Sequence, residues 1–169
     1  MIIRPAELAD AEDITHIYNY YILNSVISFE EQVVSRQAMA ERMRDVFAAS
    51  LPWLVAESSG RVVGYAYAAM WNDRSAYRFS VQSTIYLEQA RRGVGIGTRL
   101  YQALLDDLRQ RNVHVVIGGI ALPNEASLRL HEKLGYRKVA HFEEVGYKFG
   151  EWIDVGYWQL ILSPISERG

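Results

Sequence analysis

The sequence predicts an α/β fold: a mixed central sheet flanked by helices, in the order β-α-α-β-β-β-α-β-α-β-β. Three observations lead there. Segments with period-two alternation exchange places along the chain with segments of helical period. A nearly continuous apolar run, Val113 to Ile120, follows a helical segment and reads as a buried strand parallel to the strand before that helix. Between that earlier strand and the helix lies Gly93-Val94-Gly95-Ile96-Gly97, a glycine-rich junction. The 169 residues suit one domain, with an ordered core expected over about 1–163.

Taken in order, Ile2 to Arg4 reads as a short strand. Asp10 is placed to cap a helix whose apolar positions are Ile14, Ile17, Tyr18, Tyr21 and Ile22. Asn24 to Val34 is a loop carrying Phe29 and Glu30. Ser35 starts a second helix with Met39, Met43, Val46 and Phe47 on one side. Trp53 to Glu57 and Val62 to Trp71 are strands joined by the turn Ser58-Ser59-Gly60-Arg61. A third strand runs from about Arg78 to Leu87. In it Phe79, Val81, Ser83, Ile85 and Leu87 face one way, and Ser80, Gln82, Thr84 and Tyr86 the other. The following helix, about Gly97 to Gln110, carries the stripe Leu100, Ala103, Leu104 and Leu108. After the buried strand, Asn124 caps a shorter helix that stops at Gly135. Tyr136 to Glu144 and Val155 to Leu162 complete the sheet, and the segment from Tyr147 to Trp158 reads as a rim around a pocket.

Composition narrows the function. A net charge of −2 provides no basic field for nucleic acid or an anionic membrane, so neither is expected as a partner. The absence of cysteine removes disulfides, thiolate catalysis and Cys-ligated metal, and fits a reducing compartment. His16, His114 and His141 are scattered without metal-ligand spacing, and no metal is expected. Neither a signal peptide behind Met1 nor a run of about 18 apolar residues is seen, and the expectation is a cytoplasmic protein.

The chemistry begins at Arg91-Arg92-Gly93-Val94-Gly95-Ile96-Gly97-Thr98. Glycines let the backbone turn sharply and approach a ligand. The first amides of the helix lack intrahelical partners, and the helix dipole adds positive charge. Together they suit a diphosphate. The P-loop is excluded because no Gly-Lys-Ser/Thr is present. The dinucleotide fingerprint is excluded because Gly93, Gly95 and Gly97 are spaced by two.

Arg92-x-x-Gly95-x-Gly97 resembles the R/Q-x-x-G-x-G/A motif of the GNAT acetyltransferases. Asn124-Glu125-Ala126-Ser127-Leu128-Arg129-Leu130-His131-Glu132-Lys133-Leu134-Gly135-Tyr136 resembles that family's second segment. Along nearly its whole length the chain is similar to the phosphinothricin and methionine sulfoximine N-acetyltransferase branch. This rests on Trp53-Leu54-Val55-Ala56-Glu57, Trp71-x-x-Arg74-x-Ala76-Tyr77, Ser83-Thr84-Ile85-Tyr86, Leu128-Arg129-Leu130-His131-Glu132 and Gly146-Tyr147-Lys148-x-Gly150-x-Trp152-x-Asp154-Val155-Gly156-x-Trp158-Gln159.

The resemblance implies a GNAT-type sheet, acetyl-CoA as co-substrate, a homodimer, and transfer of acetyl to the α-amino group of phosphinothricin, methionine sulfoximine or methionine sulfone. It implies that the backbone of Ile85, Tyr86 and Leu87 pairs with the pantetheine arm. Arg92 and the amides of Gly93, Val94, Gly95, Ile96, Gly97 and Thr98 would hold the diphosphate, and Asn124 and Lys133 would touch the cofactor. Phe29, Trp71, Arg74 and Tyr77 would bind the amine substrate. His131 stands where many relatives carry a thiolate-protonating Tyr; Tyr101, one turn into the helix after the glycine loop, reads as a core residue that could serve as a backup donor.

At one position the chain departs from the branch. Where its members carry Glu, this sequence reads Val81-Gln82-Ser83, and an amide cannot accept a proton near neutral pH. Three readings stand. Gln82 orients the amine or a relaying water; another residue, His131 or Glu30, is the base; or the change marks a different substrate or a weak catalyst. Asn72, where the branch has Lys, favours a neutral sulfoximine or sulfone over an anionic tail. Two other functions share the fold: acetylation of protein or peptide amines, and acyl-CoA binding without catalysis.

Overall fold

The computed structural model describes residues 1–91 and 93–162. The chain runs β1 (Ile2–Pro5), α1 (Ala11–Asn24), α2 (Arg36–Ala48), β2 (Trp53–Ser58), β3 (Arg61–Met70), β4 (Ser80–Leu87), α3 (Ile96–Gln110), β5 (Val115–Ala121), α4 (Glu125–Lys133), β6 (Arg137–Lys148) and β7 (Glu151–Ile161). Short 3-10 turns precede α1, β4 and α3. The strands form one seven-stranded sheet in the order β1-β2-β3-β4-β5-β7-β6. Only β4 and β5 pair in parallel, as α3 requires of the crossover between them. This is the predicted α/β mixed sheet, element for element.

The turn chemistry explains the hairpins. Ser59 and Gly60 have φ of 53° and 75°, the left-handed pair of a tight turn that matches the twist of β2 and β3. Phe149 and Gly150, at 53° and 77°, make the same turn between β6 and β7. That second hairpin is longer than the sequence suggested. The segment from Tyr147 to Trp158, expected as a rim, is the distal part of two paired strands, with Lys148 opposite Glu151 and Tyr147 opposite Trp152.

The alternation in β4 sorts the layers. Ser83 points to Tyr101 of α3, whereas Tyr86 on the other face meets Tyr18 and Tyr21 of α1. The two helices therefore cover opposite faces of the sheet. Leu100, Leu104, Leu105 and Leu108 of α3 are buried on one side; Ile14, Tyr21, Ile22 and Met43 of α1 and α2 are buried on the other. Two local expectations are corrected. Asp10 does not cap α1, because a 3-10 turn runs straight into the helix; its carboxylate is taken by Arg4 and the Glu7 amide. Phe47 lies outside the buried stripe of α2, which comprises Met39, Met43 and Val46. Ser35 does cap α2, accepting from the Ala38 amide at 3.1 Å.

Lys148 of β6 is 2% exposed. Its ammonium donates to the carbonyls of Ile22, Ser25 and Ser28 at 2.8, 2.8 and 2.7 Å. It thus ties the last turn of α1, where carbonyls lack helical partners, and the start of the next loop to the β6–β7 hairpin. Burial pushes its pKa down, with Glu31 and Glu30 opposing that shift. Replacing Lys148 by Met keeps the stem and strands three carbonyls. Lys148→Met is expected to lower stability by about 3 kcal/mol, read as a lower urea midpoint at unchanged slope.

Candidate active site

Strand β4 is paired with β5 only from Ser80 to Gln82, opposite Val115 to Ile117, while its pairing with β3 continues to Leu87. Among the described residues, the stretch from Ser83 to Leu87 has no strand on its β5 side. Where the two strands part, a groove of about 610 Å³ opens, lined by Ile85, Tyr86, Leu87, Gly93, Gly95, Gly97, Thr98, Asn124, Leu130 and Lys133 among others. Gly93 and Gly95 have φ of 79° and 81°. Gly95 is the N-cap of α3 and has no side chain to cap it, so the first amides of the helix remain for a ligand. A bare strand edge, an uncapped helix start and the Lys133 ammonium form a fitting bed for a long ligand with an anionic diphosphate.

A second cleft of about 490 Å³ adjoins the first, and Ile27, Ile85, Tyr86, Asn124 and Ser127 line both. Its wall includes Tyr18, Ser28, Phe29 and Glu30 from the α1 side, and Gln82, Gly119, Tyr157, Tyr101 and His131 from the sheet and helices. Gly119 leaves room here, since a Cβ would lie 3.1 Å from the Tyr157 ring and 3.4 Å from the Gln82 amide nitrogen. Phe29 is seated on Gly146, where a Cβ would fall 2.4 Å from the Phe29 ring.

Among the described residues, Glu30 is the only carboxylate lining this cleft, and it is engaged by Arg42 and Tyr18. Arg42 holds it with two bonds of 2.6 and 2.9 Å, and the Tyr18 hydroxyl donates to it through a short bond. Arg42 above all keeps the Glu30 pKa below the usual carboxylate range. Burial and the Glu30 partner push the Tyr18 phenol up to about 12. Glu30 is therefore favoured as the anion and is a poor proton acceptor near pH 7.

His131 is 4% exposed. Its Nδ1 lies 2.8 Å from the Ser127 carbonyl, which can only accept, so Nδ1 carries a proton. Nε2 lies 3.0 Å from the Tyr101 hydroxyl, and the Tyr101 oxygen lies 2.5 Å from Ser83 Oγ, itself 3.1 Å from the Tyr136 hydroxyl. Burial lowers the His131 pKa, against the Ser127 carbonyl, and raises the Tyr101 phenol to about 12. The imidazole is neutral at pH 7 and the phenols are protonated. Gly118 makes room for it, because a Cβ there would lie 2.5 Å from Nε2.

The residues expected from the sequence are thus divided. Ile85, Tyr86, Leu87, Gly93, Gly95, Gly97, Thr98, Asn124 and Lys133 share the groove; Gln82, His131 and Phe29 share the cleft. Asn124 accepts from the Ser127 amide at 3.2 Å, so it caps α4 and borders both cavities. The Val94 side chain is exposed and that of Ile96 is in the core, leaving only their backbones for a ligand. Arg92 lies outside the described residues. Trp71, Arg74 and Tyr77 do not line either cavity. Trp71 reaches the cleft indirectly, edge-on to Tyr157 at 5.9 Å, and Arg74 and Tyr77 are exposed in the segment that follows. Sequence reasoning overlooked Tyr18, which it read as helix core, and Tyr157, whose alternation with Trp158 in the last strand was the available signal.

Comparison with known proteins agrees with this geometry. Residues 3–156 match the acetyltransferase (GNAT) domain. The chain is 41% identical over 160 residues to the phosphinothricin N-acetyltransferase of Streptomyces viridochromogenes, covering 93% of this chain and 85% of that protein. It is 36% identical over 165 residues to the L-methionine sulfoximine/L-methionine sulfone acetyltransferase of Salmonella typhimurium, covering 96% and 95%. The phosphinothricin acetyltransferase of Sinorhizobium meliloti, solved with acetyl-CoA, superposes with a TM-score of 0.92 at 35% identity, covering 95% of this chain and 87% of that one. A bare β4 edge beside an uncapped glycine turn, together with these matches, makes the chain a member of the GNAT acetyltransferase family and an acetyl-CoA-dependent N-acetyltransferase.

Proposed function

We propose that the acceptor is the α-amino group of a small amino-acid analogue of the phosphinothricin, methionine sulfoximine or methionine sulfone type. The observation that carries this reading is the compact acceptor cleft, joined to the cofactor groove at Ile85, Tyr86, Asn124 and Ser127. Such a volume suits a single amino acid. The names of the relatives from Streptomyces and Salmonella support it. Detoxification of such analogues in the cytoplasm, where acetyl-CoA is formed and used, is the corresponding role, and residues 1–169 act as one domain.

When bound, acetyl-CoA supplies an acetyl thioester. In our reading the free backbone edge of Ile85, Tyr86 and Leu87 pairs with the pantetheine arm, and an amide near Tyr86 or Leu87 donates to the developing oxyanion. The amides of residues 93–98 hold the diphosphate; Asn124 and Lys133 add contacts. Gln82 orients the acceptor amine, and Phe29 walls the cleft. Trp71, edge-on to Tyr157, links the segment bearing Arg74 and Tyr77 to the wall of the cleft. Among the described residues the Arg74 guanidinium has no partner, which leaves it for the substrate's carboxylate. Asn72 in the same segment adds no charge, which suits a sulfone or sulfoximine.

The enzyme acts as a homodimer in this reading. Strand β6 ends the sheet with an unpaired edge, and its hairpin exposes Val145, Tyr147, Phe149 and Trp152. A long apolar edge of this kind favours burial against a second copy.

Purified protein is expected to release thiol from acetyl-CoA with methionine sulfone or sulfoximine and not with peptides; turnover on peptides alone would replace the small-molecule assignment. Gly95→Val forces a branched side chain into a left-handed conformation, and is expected to weaken acetyl-CoA binding by about tenfold or more in calorimetry, with little change in acceptor KM. Trp152→Arg is expected to shift sedimentation from dimer to monomer.

A further inference from the structure

The acetyl transfer read above uses one end of the acceptor cleft and leaves the chemistry of the other end open. Glu30 lines the cleft but not the cofactor groove, and it is absent from the stretch of wall that the two share. It is therefore set back from the junction, where the acceptor's α-amino group meets the thioester, and it flanks the rest of the acceptor. Among the described residues, no Lys or Arg lines the cleft. Arg42 approaches Glu30 from α2 without reaching that lining. An acceptor tail thus meets a carboxylate, hydroxyls, an amide and aromatic rings, and no cation.

We propose that Glu30 is a specificity-determining residue: its carboxylate accepts from an uncharged N–H group at the end of the acceptor's side chain and turns away acceptors whose side chain ends in an anion. A carboxylate has room for about four donors. Glu30 holds three, two from Arg42 and one from the Tyr18 hydroxyl. Oε2 takes Tyr18 and one Arg42 nitrogen, whereas Oε1 takes only the other Arg42 nitrogen, at 2.6 Å, so an acceptor position is left on Oε1. Because Arg42 neutralises the charge, what the cleft offers there is a directed lone pair. A sulfoximine carries an N–H and can fill the position. A sulfone of the same size brings only oxygens. Phosphinothricin ends in a methylphosphinate, ionised at pH 7, which must shed water against a carboxylate with no cation in the lining to receive it.

The carboxylate is held firmly enough to discriminate. The Glu30 amide donates to Ser28 Oγ at 3.2 Å. Ser28 Oγ lies 2.9 Å from the Tyr18 hydroxyl and donates to it, because the Tyr18 proton is given to Glu30. Ser28 is buried, and its carbonyl takes the Lys148 ammonium at 2.7 Å. Carboxylate, phenol and serine hydroxyl therefore form one fixed patch on the α1 side of the cleft, while Gln82, Gly119 and Tyr157 supply the sheet side. Arg74, outside the cleft, is left to the α-carboxylate, which all these acceptors share, so it does not tell them apart. Glu30 reads the tail and takes no part in proton transfer.

This role rests on the small-amine reading, and the experiment separates the two. kcat/KM is measured for methionine sulfoximine, methionine sulfone and phosphinothricin, and the affinity of each is read by calorimetry with coenzyme A bound. The wild type is expected to prefer the sulfoximine over phosphinothricin by about 30-fold or more, with the sulfone between them. Glu30→Gln keeps the shape, frees Arg42 and lets an amide N–H face the tail. It is expected to narrow the sulfoximine-to-phosphinothricin ratio about tenfold, in kcat/KM and in affinity, with acetyl-CoA affinity within about twofold. Arg42→Gln strips the carboxylate of its counter-charge and is expected to widen the same ratio by about threefold or more. A general disturbance of the loop does not move specificity in opposite directions. A wild type that prefers phosphinothricin, a Glu30→Gln variant that changes all three acceptors by one common factor or not at all, or an Arg42→Gln variant that narrows or preserves the ratio overturns the role of Glu30 alone. If Glu30→Gln does not fold, the Arg42→Gln ratio decides. A wild type that binds acetyl-CoA and acetylates none of the three overturns that role together with the reading beneath it.

Discussion

The parting of β4 from β5 after Gln82 and Ile117 is the constraint on which the rest depends. Two parallel strands that stayed paired would satisfy each other's backbone groups and leave nothing for a ligand. Here the next residues of β5 are Gly118 and Gly119, and side chains occupy the space a Cβ would claim: His131 at the first, Tyr157 and Gln82 at the second. The split is thus filled from α4 and β7, and it leaves a stretch of β4 backbone without a strand on its β5 side. The same split brings α3 and α4 alongside that edge, so the uncapped turn at Gly95 and the Asn124 cap border one continuous cavity.

The polar groups around the split are kept neutral or paired by burial. Glu30 would be costly beside Tyr18 and Ile27 without Arg42, which neutralises it from α2. His131 stays uncharged because it is buried and has no carboxylate against it. The cleft therefore carries one compensated anion and otherwise dipoles, a setting in which an amine is not trapped as its cation. Lys148 contributes from a distance: by holding the carbonyls of Ile22, Ser25 and Ser28, it fixes the loop that presents Phe29 and Glu30. Through Lys148 and Gly146, the β6–β7 hairpin contacts the wall of the cleft, so any partner covering the hairpin would bear on the acceptor side.

The site was legible in the sequence where backbone conformation makes it. Gly93, Gly95 and Asn124 announce turns and caps by residue type, and the same features form the groove. The side-chain half was less legible. Ser83 read as an ordinary inward position and Tyr101 as a core residue with a spare hydroxyl; that they meet His131 depends on how α3 and α4 pack, and no spacing encodes this. Trp71, Arg74 and Tyr77 form a motif in one dimension, but only Trp71 makes contact with the cleft, through Tyr157.

By itself the sequence determined the order of elements, the parallel crossover, the tight turns and the glycine junction before α3, because each follows from local periodicity and from residues that demand particular φ and capping. Only the tertiary structure decided where β4 and β5 separate, which way the Ser83, Tyr101 and His131 donors run, that Glu30 is spent on Arg42, and that the Tyr147 to Trp158 segment is a hairpin rather than a rim. Those outcomes depend on contacts between residues far apart in the chain, and side-chain direction across packed layers is fixed by the neighbours it must fit.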